Sequence, residues 1–492
     1  MLSDSFACLD SGLFTSLRDA EMIALQVHDK QTIKSVGRVR KSRATHLPKH
    51  SVRSQPALAR EGDWRALTFF FVLGCVFSIL PIVNAVLYAR ENKDYTFWQM
   101  VGQWVVAGEP LYADVRNGEP EYMYPPTAAV LLYAPLSHLS PVLFVAVLCL
   151  LNAASWAVAV WAASVLVTGQ WARRSLFLSV GPGLMVAPYI WDVQLLGQTN
   201  LLLLALTLGS FLAMRGRRSH LASWLFGTAV ALKAFPLSAL AYFVARRQWL
   251  AVGSSIVSIC ALVWFFPGLV RGFERNTQEL KQWASLMILD QSGNSMSGRS
   301  SIGFTRRNQS LVACSHRLLR HIDAGDRPEE PLYVNVVDLT PKAAQMIGHS
   351  ICLLLGLVLL LACRFQFAPN LACEGLEVAM VCTLVPLCSP LAWTYFFCWL
   401  LPAWIAIGHW YNHSDLTAHA RRVVSLGAAI ATLLLVSAVS EQIDPTLQAC
   451  GVTAMGSVAL FLTLAYIRFS LPNTKFGPPI AIPGNQSGNA LR

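Results

Sequence analysis

Residues 66–89 read ALTFFFVLGCVFSILPIVNAVLYA, a run that contains no charged side chain. An α-helix of about 20 mostly apolar residues spans the roughly 30 Å of hydrocarbon in a bilayer. Comparable runs recur along the chain, at 127–137, 141–167, 175–191, 200–214, 220–233, 236–245, 249–267, 346–363, 373–388, 391–408, 424–440 and 452–469. Because several runs are too short to cross alone, the sequence predicts an all-α polytopic membrane protein with about 10–13 transmembrane helices.

The overall composition supports this class. Of the 492 residues, 54% are hydrophobic and 13% are charged, whereas roughly 25% are charged in soluble domains. The composition therefore excludes a soluble globular enzyme. The 12 Cys residues form no CxxC pair and most lie inside apolar runs, which excludes a secreted disulfide scaffold. The net charge of +11 is explained by basic cytoplasmic segments that orient membrane helices, so no nucleic-acid partner is predicted.

Charge distribution predicts the domains and the topology. Residues 30–60 carry many Lys and Arg side chains and no Asp or Glu, so residues 1–65 are predicted to form a disordered basic cytoplasmic tail. A transmembrane domain follows at 66–470, with external loops at 94–126 and 268–345 and a disordered tail at 471–492. We expect a multi-pass protein of a cell membrane, with a bacterial inner membrane as the expected location.

A lysine stands at a predicted break between two short helices. The basic cluster at 215–218 and the pair Arg246 and Arg247 are both predicted to be cytoplasmic, and the short sequence between them contains KAFP at 233–236. Proline interrupts a helix because it lacks a backbone donor. This geometry places Lys233 deep in the membrane or near its outer surface, where it either acts in function or extends its ammonium to the interface.

The segment after the first apolar run combines a carboxylate with aromatic residues. Asp94 opens a stretch of near-helical apolar spacing, which predicts a helix in the interface plane with its apolar face towards lipid headgroups. Asp94 would then lie at the outer rim of the bilayer. An acidic residue just after a helix end also commonly has no catalytic role. The aromatic residues of this segment fit an interfacial belt; they are Trp98, Trp104, Tyr112, Tyr122 and Tyr124.

Five short motifs occur in order over roughly residues 66–408. They are the Asp94–Pro126 segment, LGQTN at 196–200, ALKAFP at 231–236, NQSL at 308–311 and SPLAW at 389–393. Together they resemble glycosyltransferase family 87, whose members are membrane enzymes of the GT-C fold related to polyprenol-phosphate-mannose-dependent mannosyltransferases. The resemblance implies a GT-C type glycosyltransferase.

The same resemblance implies a reaction. A hexose, with mannose as the expected sugar, is transferred from a polyprenyl-phosphate sugar donor to a glycolipid or other cell-envelope glycan acceptor on the extracytoplasmic face, among membrane lipids. No cofactor and no essential metal are implied, and the expected course is one inverting displacement. Two other interpretations stay open: a transporter or flippase of a lipid-linked or small polar substrate, and a family member with only an accessory role.

Residue roles follow from the motif matches. Asp94 matches the acidic residue that the family carries after its first span, and it is assigned as the general base. Lys233 is the first candidate to stabilise the leaving phosphate. Gln198 and Asn200 offer amides to sugar hydroxyls, although a helix-start role for Thr199 or Asn200 is an equal alternative.

Further candidates come from the other motifs and the second loop. Arginines of the large external loop are alternatives for binding phosphate; they are Arg299, Arg306, Arg307 and Arg317. Asp192 is a second acidic candidate, and Tyr124 and Asn308 are further predicted contacts to substrate. Related mannosyltransferases often carry His shortly after SPxxW, whereas Thr394 and Tyr395 follow here. Tyr395 is therefore predicted to replace that His as a hydrogen-bonding contact.

Overall fold

The structure is a computed structural model that describes residues 61–88, 93–112, 122–169, 175–289, 303–326, 329–364, 371–412, 416–439 and 444–471. Throughout these ranges the chain forms helices and connecting turns, and none of these residues lies in a β-strand. The all-α prediction is therefore confirmed.

The first half of the chain follows the predicted apolar runs. Its α-helices are α1 (Glu61–Phe77), α2 (Ile79–Leu87), α3 (Lys93–Val106), α4 (Pro126–Ala128), α5 (Pro141–Thr168), α6 (Ser175–Met185), α7 (Ala187–Leu196), α8 (Asn200–Arg215), α9 (Ser219–Leu232), α10 (Leu240–Ala245), α11 (Trp249–Cys260) and α12 (Phe266–Arg271). A 3-10 helix at Phe235–Ala239 leads into α10. The predicted break at Lys233 is thus confirmed, because α9 ends at Leu232 and a new helical segment begins at Phe235.

The second half contains the remaining helices. They are α13 (Phe273–Ala284), α14 (Leu311–Leu319), α15 (Pro341–Arg364), α16 (Leu371–Leu387), α17 (Leu401–Tyr411), α18 (Ala418–Val439), α19 (Pro445–Ala449) and α20 (Val452–Ser470). A 3-10 helix at Thr394–Leu400 precedes α17 and follows the SPLAW motif directly.

Six helical stretches in the described ranges are long and apolar enough to cross a bilayer. They are Arg65–Leu87, Pro141–Thr168, Trp249–Arg271, Pro341–Cys363, Ala418–Ala438 and Val452–Ser470. Shorter apolar helices account for further predicted runs; they are Pro126–Leu136, Asn200–Arg215, Ser219–Leu232 and Phe235–Ala245. The polytopic architecture is confirmed, while six full-length stretches are fewer than the predicted spans because the sequence count included short and broken helices.

Several predicted boundaries differ from the structure. The first helix begins at Glu61 and not at residue 66. The two segments that were predicted to be external loops contain helices, since 94–126 contains most of α3, and 268–345 contains α13 and α14. The rest of the predicted N-terminal tail, residues 1–60, lies outside the described residues, and so do residues 472–492 of the predicted C-terminal tail.

Helix α5 lies at the centre of the bundle. Ser140 caps its start by accepting a hydrogen bond from the Leu143 amide at 3.4 Å, and Gly169 ends it with a φ of 70°. A left-handed residue at this position favours glycine because it has no Cβ. Apolar side chains of α5 pack against α1, α8, α16 and α17. The core of the protein therefore surrounds this one long helix.

A buried ion cluster joins three helices at one end of the bundle. The Glu377 carboxylate of α16 is fully buried and contacts Arg468 of α20 at 3.3 Å. It also forms an ion pair with Arg246, which follows α10, and accepts a hydrogen bond from the Tyr242 hydroxyl at 3.2 Å. Two buried guanidinium groups thus share one carboxylate, which makes the cluster sensitive to loss of that single group.

We expect Glu377→Ala to destabilise the folded protein by about 3–5 kcal/mol, because both arginines lose a buried partner. Thermal unfolding in detergent measures the effect, and Glu329→Ala, which removes an exposed carboxylate, serves as the control. Equal unfolding midpoints for the two variants would contradict a structural role of the cluster.

Candidate active site

Asp94 lies in the first turn of α3 and is partly buried. A carboxylate at this position interacts favourably with the positive end of the helix dipole. The Gln198 side-chain nitrogen Nε2 donates to Asp94 Oδ2 at 2.6 Å. A residue from the turn between α7 and α8 thereby holds the carboxylate that the sequence assigned as the general base.

The orientation of the Gln198 amide is fixed by its other contacts. Its oxygen Oε1 accepts a hydrogen bond from the Tyr124 hydroxyl at 2.7 Å and a longer one from Lys233 Nζ at 3.5 Å. Because two donors face the oxygen, the nitrogen must point the other way, towards Asp94. Gln198 thus connects an ammonium group to a carboxylate through a single oriented amide.

Lys233 is buried within the protein and does not reach the interface. Its side chain is 7% exposed. Nζ donates to Tyr124 Oη and to Asn200 Oδ1, both at 3.1 Å. We define Asp94, Gln198, Tyr124, Lys233 and Asn200 as the Asp94 cluster. The alternative in which Lys233 extends its ammonium to the interface is therefore wrong.

Aromatic rings enclose the lysine ammonium. Distances from Nζ to the ring centroids are 4.3 Å for Phe396, 4.5 Å for Tyr124, 5.3 Å for Tyr395 and 5.8 Å for Phe235. Rings attract a cation through the negative potential of their faces, most strongly where water is excluded. Tyr395, from the 3-10 helix after the SPLAW motif, is therefore brought to the Asp94 cluster as part of this aromatic wall.

Four of the five aromatic residues predicted to form an interfacial belt are buried, and Trp104 is half-buried. Trp98 is 5% exposed, and its ring stacks on Tyr124 at 5.1 Å and on Tyr133 at 5.3 Å. The Tyr112 hydroxyl donates to the Tyr124 carbonyl oxygen. The expected contact of this apolar face with lipid headgroups was therefore wrong, because α3 packs these side chains against the protein.

Gly197 permits the close approach of α3 to the turn that carries Gln198. It has a φ of +68°, and a Cβ atom at this position would lie 2.8 Å from the ring of Tyr95. The Tyr95 hydroxyl donates to the Gln194 carbonyl oxygen at 2.5 Å. Glycine is thus required for both backbone conformation and space.

Two further predicted contacts have hydrogen-bond partners outside the Asp94 cluster. Arg307 is about half exposed, and its Nε donates to Asp326 at 3.0 Å. Asn308 is fully buried, and its side-chain oxygen accepts from the amides of Ser310 at 3.1 Å and Ala392 at 2.9 Å. Its amide nitrogen donates to Gly303 and Pro390 carbonyl oxygens. These bonds occupy the Asn308 side chain inside the protein, and its role as a substrate contact stays a prediction.

The other loop arginines have different positions. Arg317, an alternative candidate for binding phosphate, is fully buried and donates to the carbonyl oxygens of Ala449 and Asn308, each at 2.7 Å. Arg306 forms an ion pair with Asp326. Arg299 lies outside the described residues. Arg317 therefore supports the backbone around Asn308, which in turn holds the SPLAW segment.

Some contacts at the site were missed from the sequence. Asn152 of α5 donates to the Gln198 carbonyl oxygen at 2.9 Å. An isolated amide in a long apolar helix is an available signal, because polar groups within membrane helices are costly and commonly functional. Trp98 and Phe396 carried no comparable signal. Thr199 precedes α8 without a capping side-chain hydrogen bond, and Asp192 lies half-buried on α7.

Comparison with known proteins decides the family. The model of glycosyltransferase family 87 matches residues 122–390, which is more than half of the chain. The chain belongs to glycosyltransferase family 87. It is thus a membrane glycosyltransferase by family. The match includes Tyr124, Gln198, Asn200 and Lys233, but it begins after Asp94 and ends before the Tyr395 segment.

A curated relative adds a more specific similarity. The chain is 29% identical over 371 residues to the polyprenol-phosphate-mannose-dependent alpha-(1-2)-phosphatidylinositol pentamannoside mannosyltransferase of Mycolicibacterium smegmatis. The aligned region covers 73% of this chain and 80% of the relative. No solved structure matches the chain significantly.

We expect Asn308→Ala to lower the stability of this family 87 protein by about 1–3 kcal/mol, because buried backbone groups lose their hydrogen-bond partner. Arg307→Ala, which removes a half-exposed ion pair, should change the stability by no more than about 0.5 kcal/mol. Thermal unfolding in detergent compares the two variants. Equal unfolding midpoints for Asn308→Ala and Arg307→Ala would refute a structural role of Asn308.

Proposed function

We propose that this chain transfers a hexose, with mannose as the expected sugar, from a polyprenyl-phosphate donor to a lipid or cell-envelope acceptor on the extracytoplasmic face of the membrane. The observation that carries the proposal is the single amide, Gln198, that joins the Asp94 carboxylate to the buried Lys233 ammonium. The name of the mycobacterial relative includes polyprenol-phosphate-mannose and phosphatidylinositol pentamannoside, and it supports these substrate classes.

Asp94 is the proposed general base. As the acceptor hydroxyl attacks the anomeric carbon, its proton passes to the carboxylate, the new glycosidic bond forms, and the bond to the donor phosphate breaks. Gln198 keeps one carboxylate oxygen oriented through its hydrogen bond. One carboxylate suffices because a phosphate leaving group needs little protonation, and a single displacement inverts the anomeric centre. The family resemblance is the ground for proposing this step without a metal.

Lys233 is the proposed cation for the departing phosphate. A preorganised positive charge in a water-poor site stabilises the negative charge that develops on the leaving group. Oxygen acceptors on three separate segments hold the ammonium in place before any substrate binds; they belong to Tyr124, Gln198 and Asn200. The site therefore offers a fixed charge and needs no rearrangement of a long side chain.

Two buried donors near the cluster are proposed to bind substrate oxygens. Nδ2 of Asn200 and Nε1 of Trp98 have no hydrogen-bond partner within the described part of the chain. A buried donor without a partner is costly unless water or a ligand accepts from it. We assign these donors to sugar hydroxyls or phosphate oxygens, and Tyr395 to the contact made by His in related enzymes. Arg299 stays a proposed phosphate contact.

A transporter or flippase is the second candidate function. A charged residue at a break between short helices, as at Lys233, is also typical of carriers. The two functions differ in what they require. An enzyme forms product in detergent from donor and acceptor, whereas a carrier has no measurable activity without a sealed compartment.

We expect the purified protein to form product in detergent from a labelled polyprenyl-phosphate sugar and a lipid acceptor, and Asp94→Asn to lower the rate by at least about 10²-fold. The substituted side chain keeps its size but cannot accept the proton. Glu109→Gln, an exposed change after α3, is the matched control. Undiminished transfer by Asp94→Asn would exclude Asp94 as the general base. Absence of product from the unchanged protein would favour a carrier.

We expect Lys233→Met to lower kcat by about 10²–10³-fold, because the departing phosphate loses its positive charge. Methionine approximates the length of the lysine stem within the aromatic wall. Steady-state kinetics with varied donor separate kcat from KM, and Lys342→Met, an exposed change on α15, controls for loss of charge. An unchanged kcat with a raised KM would show that Lys233 binds the donor and does not stabilise the departing phosphate in the reaction step.

A further inference from the structure

Residues 329–340, which we term the strap, run directly into the membrane-spanning helix α15. The Val336 and Leu339 amides donate to the carbonyl oxygens of Leu318 at 2.8 Å and Leu319 at 2.7 Å. These acceptors belong to the last turn of α14, where carbonyl groups lack partners within the helix. The strap is therefore fixed in place by backbone hydrogen bonds.

Two polar side chains of the strap contact His321, which follows α14. Asp338 Oδ1 accepts from the His321 amide at 3.0 Å, and Asn335 Oδ1 lies 3.4 Å from His321 Nδ1. The Asn335 amide nitrogen donates to the Val337 carbonyl oxygen at 3.1 Å. The ring of Tyr333 stacks on His321 with a centroid distance of 4.4 Å. One histidine thus organises the polar contacts of this segment.

Apolar side chains of the same segment remain uncovered. Val336 is 81% exposed, and the strap's other exposed apolar residues are Tyr333, Val337 and Leu339. Single exposed apolar residues are ordinary, but four within one short fixed segment form a patch. The patch continues along the chain onto α15, of which only 22% of the most apolar stretch is buried. Its exposed apolar side chains include Met346, Ile347, Leu353, Leu354 and Leu357.

We propose that the apolar face of the strap inserts into the lipid interface beside the N-terminal end of α15. Lipid is the occupant that matches the continuity of this face with a membrane-spanning helix. Tyr333, with an apolar ring and a polar hydroxyl, suits the headgroup boundary. An anchored strap fixes the height of α14 above the bilayer. Through Arg317 and Asn308, it also supports the segment that leads to Tyr395.

A depth measurement tests the contact with lipid independently of catalysis. Val336→Cys and, as a second position, Val337→Cys are made in a Cys260→Ser background, because Cys260 is exposed. The proteins are labelled with bimane in detergent and reconstituted into phosphatidylcholine vesicles with or without bromine on the acyl chains. A face buried about 5–10 Å into the interface should give roughly twofold weaker bimane emission in the brominated vesicles. Signal from the labelled background protein is subtracted.

Glu329→Cys, a polar exposed position on the same strap, is the matched control and should retain its emission. Thermal unfolding in detergent confirms that the labelled variants are folded. Equal emission in both vesicle types, with quenching by aqueous iodide, overturns the proposal. Efficient crosslinking of Val336→Cys between two copies also overturns it, because a second protein then covers the face.

Discussion

The buried ammonium of Lys233 is the constraint on which the site depends. A charge removed from water must be stabilised by protein groups, or it becomes too costly to keep. Here three side-chain oxygens and four aromatic rings supply that stabilisation. They come from segments far apart in the chain, so the lysine can be accommodated only when those segments meet. The charged group that the site needs is therefore stable only in the completely folded protein.

Different observations support Asp94 and the other residues of the Asp94 cluster. Lys233, Gln198 and Tyr124 lie within the match to family 87, whereas Asp94 lies before it. What connects Asp94 to the family residues is the 2.6 Å hydrogen bond from Gln198. Geometry thus supports the proposed base independently of the family match. The hydrogen bonds of Asn308 to Pro390 and Ala392 give it a part in holding the SPLAW segment.

Sequence patterns predicted the helices well because long apolar runs have one stable form in a bilayer. They also predicted the break after Leu232, because Pro236 lacks the backbone donor that a continuous helix needs. Patterns could not predict which face of α3 would be buried, since the same aromatic residues suit lipid or protein. The burial of Arg317 could not be predicted for a related reason. Its partners are backbone oxygens, including those of Thr305 and Ala449, and every residue has a backbone oxygen, so such partners cannot be identified from the sequence.

The shortness of α9 and of the helix at Phe235–Ala245 has a consequence for biogenesis. Neither helix is long enough to cross a bilayer by itself, and a lysine at their junction opposes independent insertion. We expect the two to enter the membrane together as a hairpin, with the ammonium near water until its later partners are synthesised. Because Tyr395 and Phe396 come late in the chain, the ribosome has to complete most of the protein before the lysine can be sealed from solvent.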